Sequence, residues 1–374
     1  MISTISWINI SGTGYATFLQ SGGSEQHLIT FEKTWKGVGR LKPFWWPCSA
    51  APTLFFCLYL MDLHLRAIRS VAAIREEEGE NEDEATFTSQ PALRYTQMAE
   101  TNLPGGARVL VSGVLFRRRA LITLLYLLVI AAAELLTAYA ASHGAVYAKS
   151  GILFHGLILF ALLIHSALIL RADPEFSQLV LVLILAPLIR ILSISMPVAH
   201  FNYIAWFSII SIPVYLTIFT CVYLQQLSPR DIGLVLPAVR HLPLEFGVIL
   251  FAVPLGVMEY LILKPRVLVE PRLATLLVPV LIMVVCTGLL EELAFRGVMQ
   301  YHATRTMGFA GILLISALFG LLHLGNLSVL DVLLTAGIAF LFSIVVRQTG
   351  SLYGVSISHG IINVTLFLIA PAYL

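Results

Sequence analysis

Charge is scarce in this chain of 374 residues: only 12% of them are Asp, Glu, Lys or Arg, whereas 58% are hydrophobic. The mean hydropathy is +0.87, well above the level of ordinary soluble enzymes, so the composition excludes a water-soluble globular fold. The net charge is only +2, and the basic residues are scattered singly along the loops. A nucleic-acid-binding surface needs a basic patch or stripe, and we therefore expect no nucleic-acid partner.

Cysteine is also rare. The four cysteines lie far apart and form no CxxC pair, which argues against a zinc knuckle or a disulfide framework. They are Cys48, Cys57, Cys221 and Cys286.

The first twenty residues lack a basic start followed by an apolar stretch, so the sequence predicts no cleavable signal peptide. Membrane insertion would then depend on internal helices.

The first part of the chain differs in character from the rest. Its one apolar run, Ala51 to Leu65, is interrupted by Asp62 and His64 and is shorter than a typical span, which favours an interfacial or buried segment. Seven acids follow in the nine positions from 76 to 84. Such a run is typical of a solvated linker. We predict a poorly ordered extension over residues 1–110.

Long apolar runs dominate the remainder. A bilayer core needs roughly 20 apolar residues per helix, and this signal recurs along the chain. It predicts an all-α fold, a polytopic membrane helical bundle with eight or nine transmembrane helices, in which Pro187 and Pro254 should kink their helices. The predicted spans are 120–141, 151–170, 178–194, 203–225, 244–264, 273–299, 308–323, 328–346 and 351–369.

Basic residues in short loops indicate the orientation, because their translocation is disfavoured. If the predicted spans alternate, one side of the membrane receives Arg117 to Arg119, Arg171, Arg230, Arg240, Arg305 and Arg347. We predict that this side is the cytoplasm, although Lys264, Arg266 and Arg272 lie on the other side. In this orientation Glu291 lies in the cytoplasmic half of its helix.

The segment LLEELAFRG, residues 289–297, places three charges inside an apolar run. Glu292 and Arg296 are four residues apart, so they face each other on a helix and should form an ion pair. Glu291 points about 100° away from Glu292 and lacks that cation. A carboxylate in an apolar pocket can act as a general base. A structural charge cluster is the alternative, but intramembrane acids are more often functional.

Two later spans contribute imidazoles. Phe319 and His323 end the seventh predicted span, and His359 and Asn363 share one face of the last. A lone histidine in such a helix is usually structural. Two histidines and an asparagine close in sequence to a Glu-Glu-Arg set favour a common site.

The order EExxxR, FxxxH and HxxxN on successive helices resembles the CPBP family, which includes the CAAX prenyl proteases and the bacteriocin-processing or immunity proteins with an Abi domain. Here the motifs are Glu291, Glu292 and Arg296, then Phe319 and His323, then His359 and Asn363. LSPRDIGL at 227–234 resembles the segment that commonly precedes this domain. The resemblance covers roughly 225–370. We assign 226–374 as a CPBP/Abi-like catalytic transmembrane core and 111–225 as N-terminal transmembrane helices.

The resemblance implies a glutamate-dependent intramembrane endopeptidase without a metal or other cofactor. Glu291, with His323, would activate water, while His359 and Asn363 would hold the oxyanion; Glu292, Arg296 and Phe319 would support them. The implied partners are the lipid bilayer and a peptide or protein substrate, with prenylated proteins as one implied class. The implied location is the cell membrane, with the active site towards the cytoplasm.

Four other functions compete with this interpretation. A metalloprotease is disfavoured because HExxH and the paired ExxH of di-iron bundles are missing here. A serine or cysteine protease is disfavoured because GxSxG is absent and Ser358 points about 100° away from His359. A transporter is disfavoured because the two halves of the membrane region show no internal repeat. A non-catalytic immunity or partner-binding protein of the same fold stays open.

Overall fold

The computed structural model describes residues 105–143, 145–195, 202–269 and 273–374. The predicted apolar segment at 51–65 and the acidic linker at 76–84 therefore lie outside the described residues. Within the described ranges, every regular element is helical, as the predicted fold class requires.

The helices before the motif region are α1 (Gly105–His143), α2 (Ala145–Ile169), α3 (Pro174–Val182), α4 (Leu185–Ser195), α5 (Tyr203–Leu224), α6 (Leu242–Leu250) and α7 (Ala252–Leu263). The composite helix α8, residues 273–307, is α-helical at Leu273–Ile282, Leu290–Glu292 and Gln300–Met307, with π-helical turns at Met283–Leu289 and Leu293–Met299. The last helices are α9 (Phe309–Leu321), α10 (Val329–Thr349), α11 (Tyr353–Val364) and, after a π-helical turn at Thr365–Ile369, α12 (Ala370–Tyr373).

Nine helical stretches in the described part of the chain are long and apolar enough to cross a membrane. They coincide with the nine predicted spans within a few residues at most ends, because span position follows directly from the length of each apolar run. The chain is an integral multi-pass membrane protein with an all-α bundle fold.

The sixth span ends later than the sequence predicts. The expected end was residue 299, but α8 continues to Met307. Residues 300–307 are polar, and Gln300 stays buried because its amide donates to the Ser343 carbonyl at 3.1 Å. The helix stops at Gly308, whose φ of +58° is favourable for glycine. A capping residue, rather than the loss of hydrophobicity, sets this end.

Helix breaks lie just before both of the prolines that the sequence predicts to kink their spans. α3 and α4 are separated by a turn at 183–184, and α6 and α7 are separated at Phe251. Pro187 and Pro254 follow these breaks closely, because a proline ring clashes with the carbonyl four residues earlier and offers no N–H to it.

The span Pro174–Ser195, which contains α3 and α4, lies at the centre of the N-terminal part. In its most apolar stretch, 94% of the residues are buried inside the protein. A buried ion pair ties it to α1: Arg190 donates to both Glu134 oxygens at 2.5 Å. His155 on α2 lies 3.4 Å from the same carboxylate. Removing one partner of such a buried pair leaves a costly uncompensated charge, so this contact fixes how the first three spans pack.

Helices α8 and α11 approach each other very closely, and two glycines make this possible. A methyl group added at Gly360 would lie 2.6 Å from the Cα of Val284, and one at Gly288 would overlap the carbonyl of Ser356. The close approach brings the backbones of the two motif-bearing helices together just before Glu291.

Candidate active site

The two adjacent glutamates lie on a short α-helical piece of α8, between two π-helical turns. π-Helical turns are energetically unfavourable insertions that occur frequently at functional sites. Glu291 is 2% exposed, Glu292 0% and Arg296 3%, so all three charges are removed from solvent and must be satisfied inside the protein.

Glu292 is the centre of a buried hydrogen-bond network. Its Oε1 accepts from Arg296 at 3.1 Å, which is the ion pair predicted from the spacing. The same oxygen accepts from Nδ1 of His359 at 2.7 Å, a contact that the sequence did not predict. His359 therefore joins α11 to α8 through Glu292.

His359 also faces Glu291. Its Nε2 lies 3.7 Å from Oε2 of Glu291, longer than a direct hydrogen bond. Because Nδ1 is engaged by Glu292, Nε2 is the ring atom directed towards the other carboxylate. One imidazole is thus held between the two adjacent glutamates.

His323 is held by its own helix turn. Its Nδ1 lies 3.0 Å from the Phe319 carbonyl, and a carbonyl can only accept, so Nδ1 carries the proton. In the neutral ring Nε2 is then the proton acceptor, and this buried atom has no hydrogen-bond partner.

The Phe319 ring connects these groups. It lies 4.4 Å from the Arg296 guanidinium carbon and 5.3 Å and 6.0 Å from the ring centres of His323 and His359. A cation over an aromatic face is stabilised by the ring quadrupole. Phe319 therefore fixes the relative positions of the cation and both imidazoles.

Asn363 lies one turn after His359 and is also buried. Its amide nitrogen donates to the Thr287 hydroxyl at 2.9 Å, and this bond orients the amide. An amide NH₂ has two donors, so one N–H remains after this contact is made.

A small cavity of about 20 Å³, the inner cavity, lies among these helices. Its wall includes Glu259, Glu292, Arg296, Phe319, His359 and Asn363. Glu291 and His323, which the sequence placed around one pocket with His359 and Asn363, are buried beside it and do not line it. The second glutamate of the pair, rather than the first, faces this space.

Residues 273–365 match the family model described as "Type II CAAX prenyl endopeptidase Rce1-like". This match supports a relationship of the segment to the CPBP/CAAX protease family. Neither a curated protein nor a solved structure matches the chain. The resemblance recognised from the three motifs is confirmed for this segment, which contains all seven motif residues.

One wall residue comes from outside the Rce1-like segment. Glu259 is on α7, is 2% exposed and lines the inner cavity. The sequence analysis missed it, although an acid in the apolar run GVMEYLIL is the type of signal that marks an intramembrane functional site.

The Rce1-like segment also borders a larger outer cleft of about 320 Å³. Loop and helix-end residues such as Arg230, Asp231 and Arg347 line this cleft, and Arg296 lines both the cleft and the inner cavity. The Arg296 side chain therefore separates the buried site from a space at the ends of the spans.

Two competing protease classes can be compared with this geometry. No group of three or more His, Cys, Asp or Glu side chains suited to a metal ion occurs among the described residues. The hydroxyl of Ser358 donates to the Val248 carbonyl at 2.9 Å. It is thus directed at α6.

Proposed function

We propose that the chain is a glutamate-dependent, metal-independent intramembrane endopeptidase. It hydrolyses a peptide bond of a membrane-associated protein or peptide, and prenylated proteins are the first substrate class to test. The observation that carries this proposal is the contact of His359 with both Glu292 and Glu291 inside a segment that matches a protease family.

In the proposed mechanism, Glu291 and Nε2 of His323 take the proton of a water molecule as its oxygen attacks the peptide carbonyl. General bases of this kind typically contribute about 10²- to 10⁴-fold to a rate. The tautomer of His323 supports this role, since Nδ1 is used by Phe319 and Nε2 is the acceptor.

The developing oxyanion is stabilised by N–H groups of His359 and Asn363. His359 can donate from Nε2 when that ring nitrogen carries a proton, and the bond of Nδ1 to Glu292 holds the ring in position. Asn363 adds the N–H that Thr287 does not use. Donors fixed before the reaction stabilise the transition state without reorganisation.

Glu292, Arg296 and Phe319 act as supporting residues in this proposal. They touch the two imidazoles and set their positions. The active site opens towards the cytoplasm, on the side of the outer cleft.

The test is cleavage of a prenylated peptide library by purified protein in detergent, with and without a chelator. We expect chelator-insensitive cleavage, abolished in Glu291→Gln with an unchanged melting temperature. Glu245→Gln is the matched control: Glu245 is another buried acid, but it accepts from the Gly354 N–H at 2.7 Å, which an amide oxygen can also do. We expect Glu245→Gln to remain active.

Three results would contradict the proposal. Chelator-sensitive cleavage would indicate a metalloenzyme, and full activity in Glu291→Gln would remove Glu291 from the mechanism. A folded wild-type protein that cleaves none of the peptides would favour the non-catalytic partner-binding function.

A further inference from the structure

Glu259 is the acid of the inner cavity that neither the motifs nor the family segment includes. It lies on α7, in the wall that also contains Glu292, Arg296, His359 and Asn363. Its side chain is 2% exposed, and Oε1 has no hydrogen-bond partner. A buried polar atom left unsatisfied costs free energy, so its retention beside a candidate active site requires an explanation.

The charged surroundings of Glu259 are mainly acidic. Two acids act electrostatically on its carboxyl group: Asp331, at the start of α10, and Glu291 on α8. The cations that share the cavity have other partners: Arg296 and His359 both contact Glu292. On the neighbouring α6, Glu245 bonds the Gly354 backbone instead.

A count of charges indicates the state of this carboxyl group. Glu259, Glu291, Glu292 and Asp331 are four buried acids, whereas Arg296 and a doubly protonated His359 supply at most two positive charges. Isolated negative charge in an apolar interior is strongly unfavourable, and carboxyl groups become protonated instead. Glu259, on which two acids act and whose Oε1 accepts no hydrogen bond, is the carboxyl group best placed to remain neutral.

We propose that Glu259 holds a proton in the resting protein and donates it to the amine that leaves during peptide cleavage. The inference rests on the proposed protease function and adds one residue to it. Peptide hydrolysis needs such a donor, because an amide nitrogen is a poor leaving group until it is protonated.

The step balances without a cofactor. As the tetrahedral intermediate collapses, the C–N bond breaks and the nitrogen takes the proton of Glu259, leaving that side chain as a carboxylate. The proton removed from water by Glu291 and His323 then returns to Glu259. Glu259 shares the wall of the inner cavity with His359, which lies 3.7 Å from Glu291, so the return transfer crosses this one cavity.

The test compares two substrates with the same acyl portion: a peptide amide, and an ester with a phenolate leaving group. The phenolate departs without a proton, so only amide cleavage needs the donor. In Glu259→Gln we expect kcat for the amide to fall about 100-fold or more, with KM unchanged and the ester rate within a few-fold of wild type. Glu291→Gln should lose both activities, Glu259→Asp should recover part of the amide rate, and Glu245→Gln should keep both.

A second measurement reports the proton directly. Infrared spectra at neutral pH should show a carbonyl stretch of a protonated carboxylic acid that is present in wild type and in Glu291→Gln but missing in Glu259→Gln. This readout does not depend on turnover, and the melting temperature of each variant shows whether it is folded.

The outcomes are distinguishable. Normal amide cleavage by Glu259→Gln, or an equal loss on amide and ester, would overturn the donor role and leave the protease function standing. Absence of the infrared band in wild type would also overturn it. A wild-type protein that cleaves neither substrate would overturn the protease function, and the donor role with it.

Discussion

Arg296 illustrates how one buried side chain can stabilise the whole site. It neutralises Glu292 at 3.1 Å and packs on the Phe319 ring at 4.4 Å. Replacing it by alanine would leave Glu292 with His359 as its hydrogen-bond partner, and would also remove the cation from the aromatic ring.

For Arg296→Ala we therefore expect a loss of about 3 kcal/mol in the free energy of unfolding, because breaking a buried pair leaves an uncompensated charge. The control is Arg305→Ala, which removes an exposed arginine of the same helix and should change stability by about 0.5 kcal/mol or less. Denaturant titration of the purified proteins in detergent measures the free energy of unfolding of both variants. Equal effects in the two variants would show that the Glu292 pair contributes little.

Asp231 sits in the loop between α5 and α6, outside the spans, and its protonation can be followed separately. Partial burial acts to raise the pKa of Asp231, but hydrogen bonds from the Ser228 hydroxyl and backbone N–H outweigh it and hold the pKa below its ordinary value. Tyr301 and Arg305 act in the same direction. The folded protein therefore favours the ionised form of this carboxyl group.

Since the folded pKa lies below the unfolded one, the stabilisation is present above about pH 4, the ordinary value for Asp. It is lost as the pH falls through the folded pKa. We expect wild type to melt at a higher temperature than Asp231→Asn at pH 7, and the difference to vanish at acidic pH. A difference that does not change with pH would contradict the role of the charge.

At the scale of helices, the crossing of α8 and α11 determines whether the two motifs meet. Gly360→Ala would place a methyl group 2.6 Å from the Val284 backbone, so the helices must separate and His359 must move away from Glu292. We expect activity to fall at least about 10-fold and the free energy of unfolding to fall by roughly 1–3 kcal/mol. Gly337→Ala is the control, because an added methyl group there meets nothing within 4 Å. Equal activity in both variants would exclude this role for the crossing.

The helices show what the sequence can and cannot predict. Run length predicts where each span lies, and the i, i+4 rule predicts the Glu292–Arg296 pair, since both are local properties. The end of α8 at Met307 and its π-helical turns depend on partners distant in sequence, such as Ser343 and the glycine contact with α11.

The site shows the same division. The sequence predicts which residues carry polar chemistry, but the shared contact of His359 with both glutamates needs the relative rotation of two helices. The place of Glu259 in the cavity wall likewise depends on how α7 packs, which no local pattern encodes. Motif spacing determines which side chains share a face of one helix. It does not determine which faces of two helices contact each other, so these contacts could not be predicted from the sequence.

At the scale of the molecule, the described contacts gather several span ends on one side. Arg119, near the beginning of the first span, pairs with Asp173 at 2.7 Å and donates to the Thr306 carbonyl at 3.1 Å. The beginning of α3 and the end of α8 therefore lie beside it. The outer cleft adds Arg230 and Arg347 to the end of α8, so these predicted loop arginines share one face, as alternating spans require.

We expect this arginine-bearing face, and with it the outer cleft, to be cytoplasmic, because the translocation of basic loop residues is disfavoured. The assignment can be tested with single cysteines in a chain whose four native cysteines are replaced by serine or alanine. Arg230→Cys belongs to the cleft, and Arg266→Cys lies in the loop after α7, at the opposite end of that span. We expect a membrane-impermeant thiol reagent to label Arg266→Cys in intact cells and Arg230→Cys only in inverted vesicles. The reverse pattern would place the cleft outside the cell and show that Lys264, Arg266 and Arg272 outweigh the other arginines. α6 and α7 together form the one span that separates these two loops, so the loops should lie on opposite sides of the membrane. Labelling of both cysteines from the same side would contradict this topology.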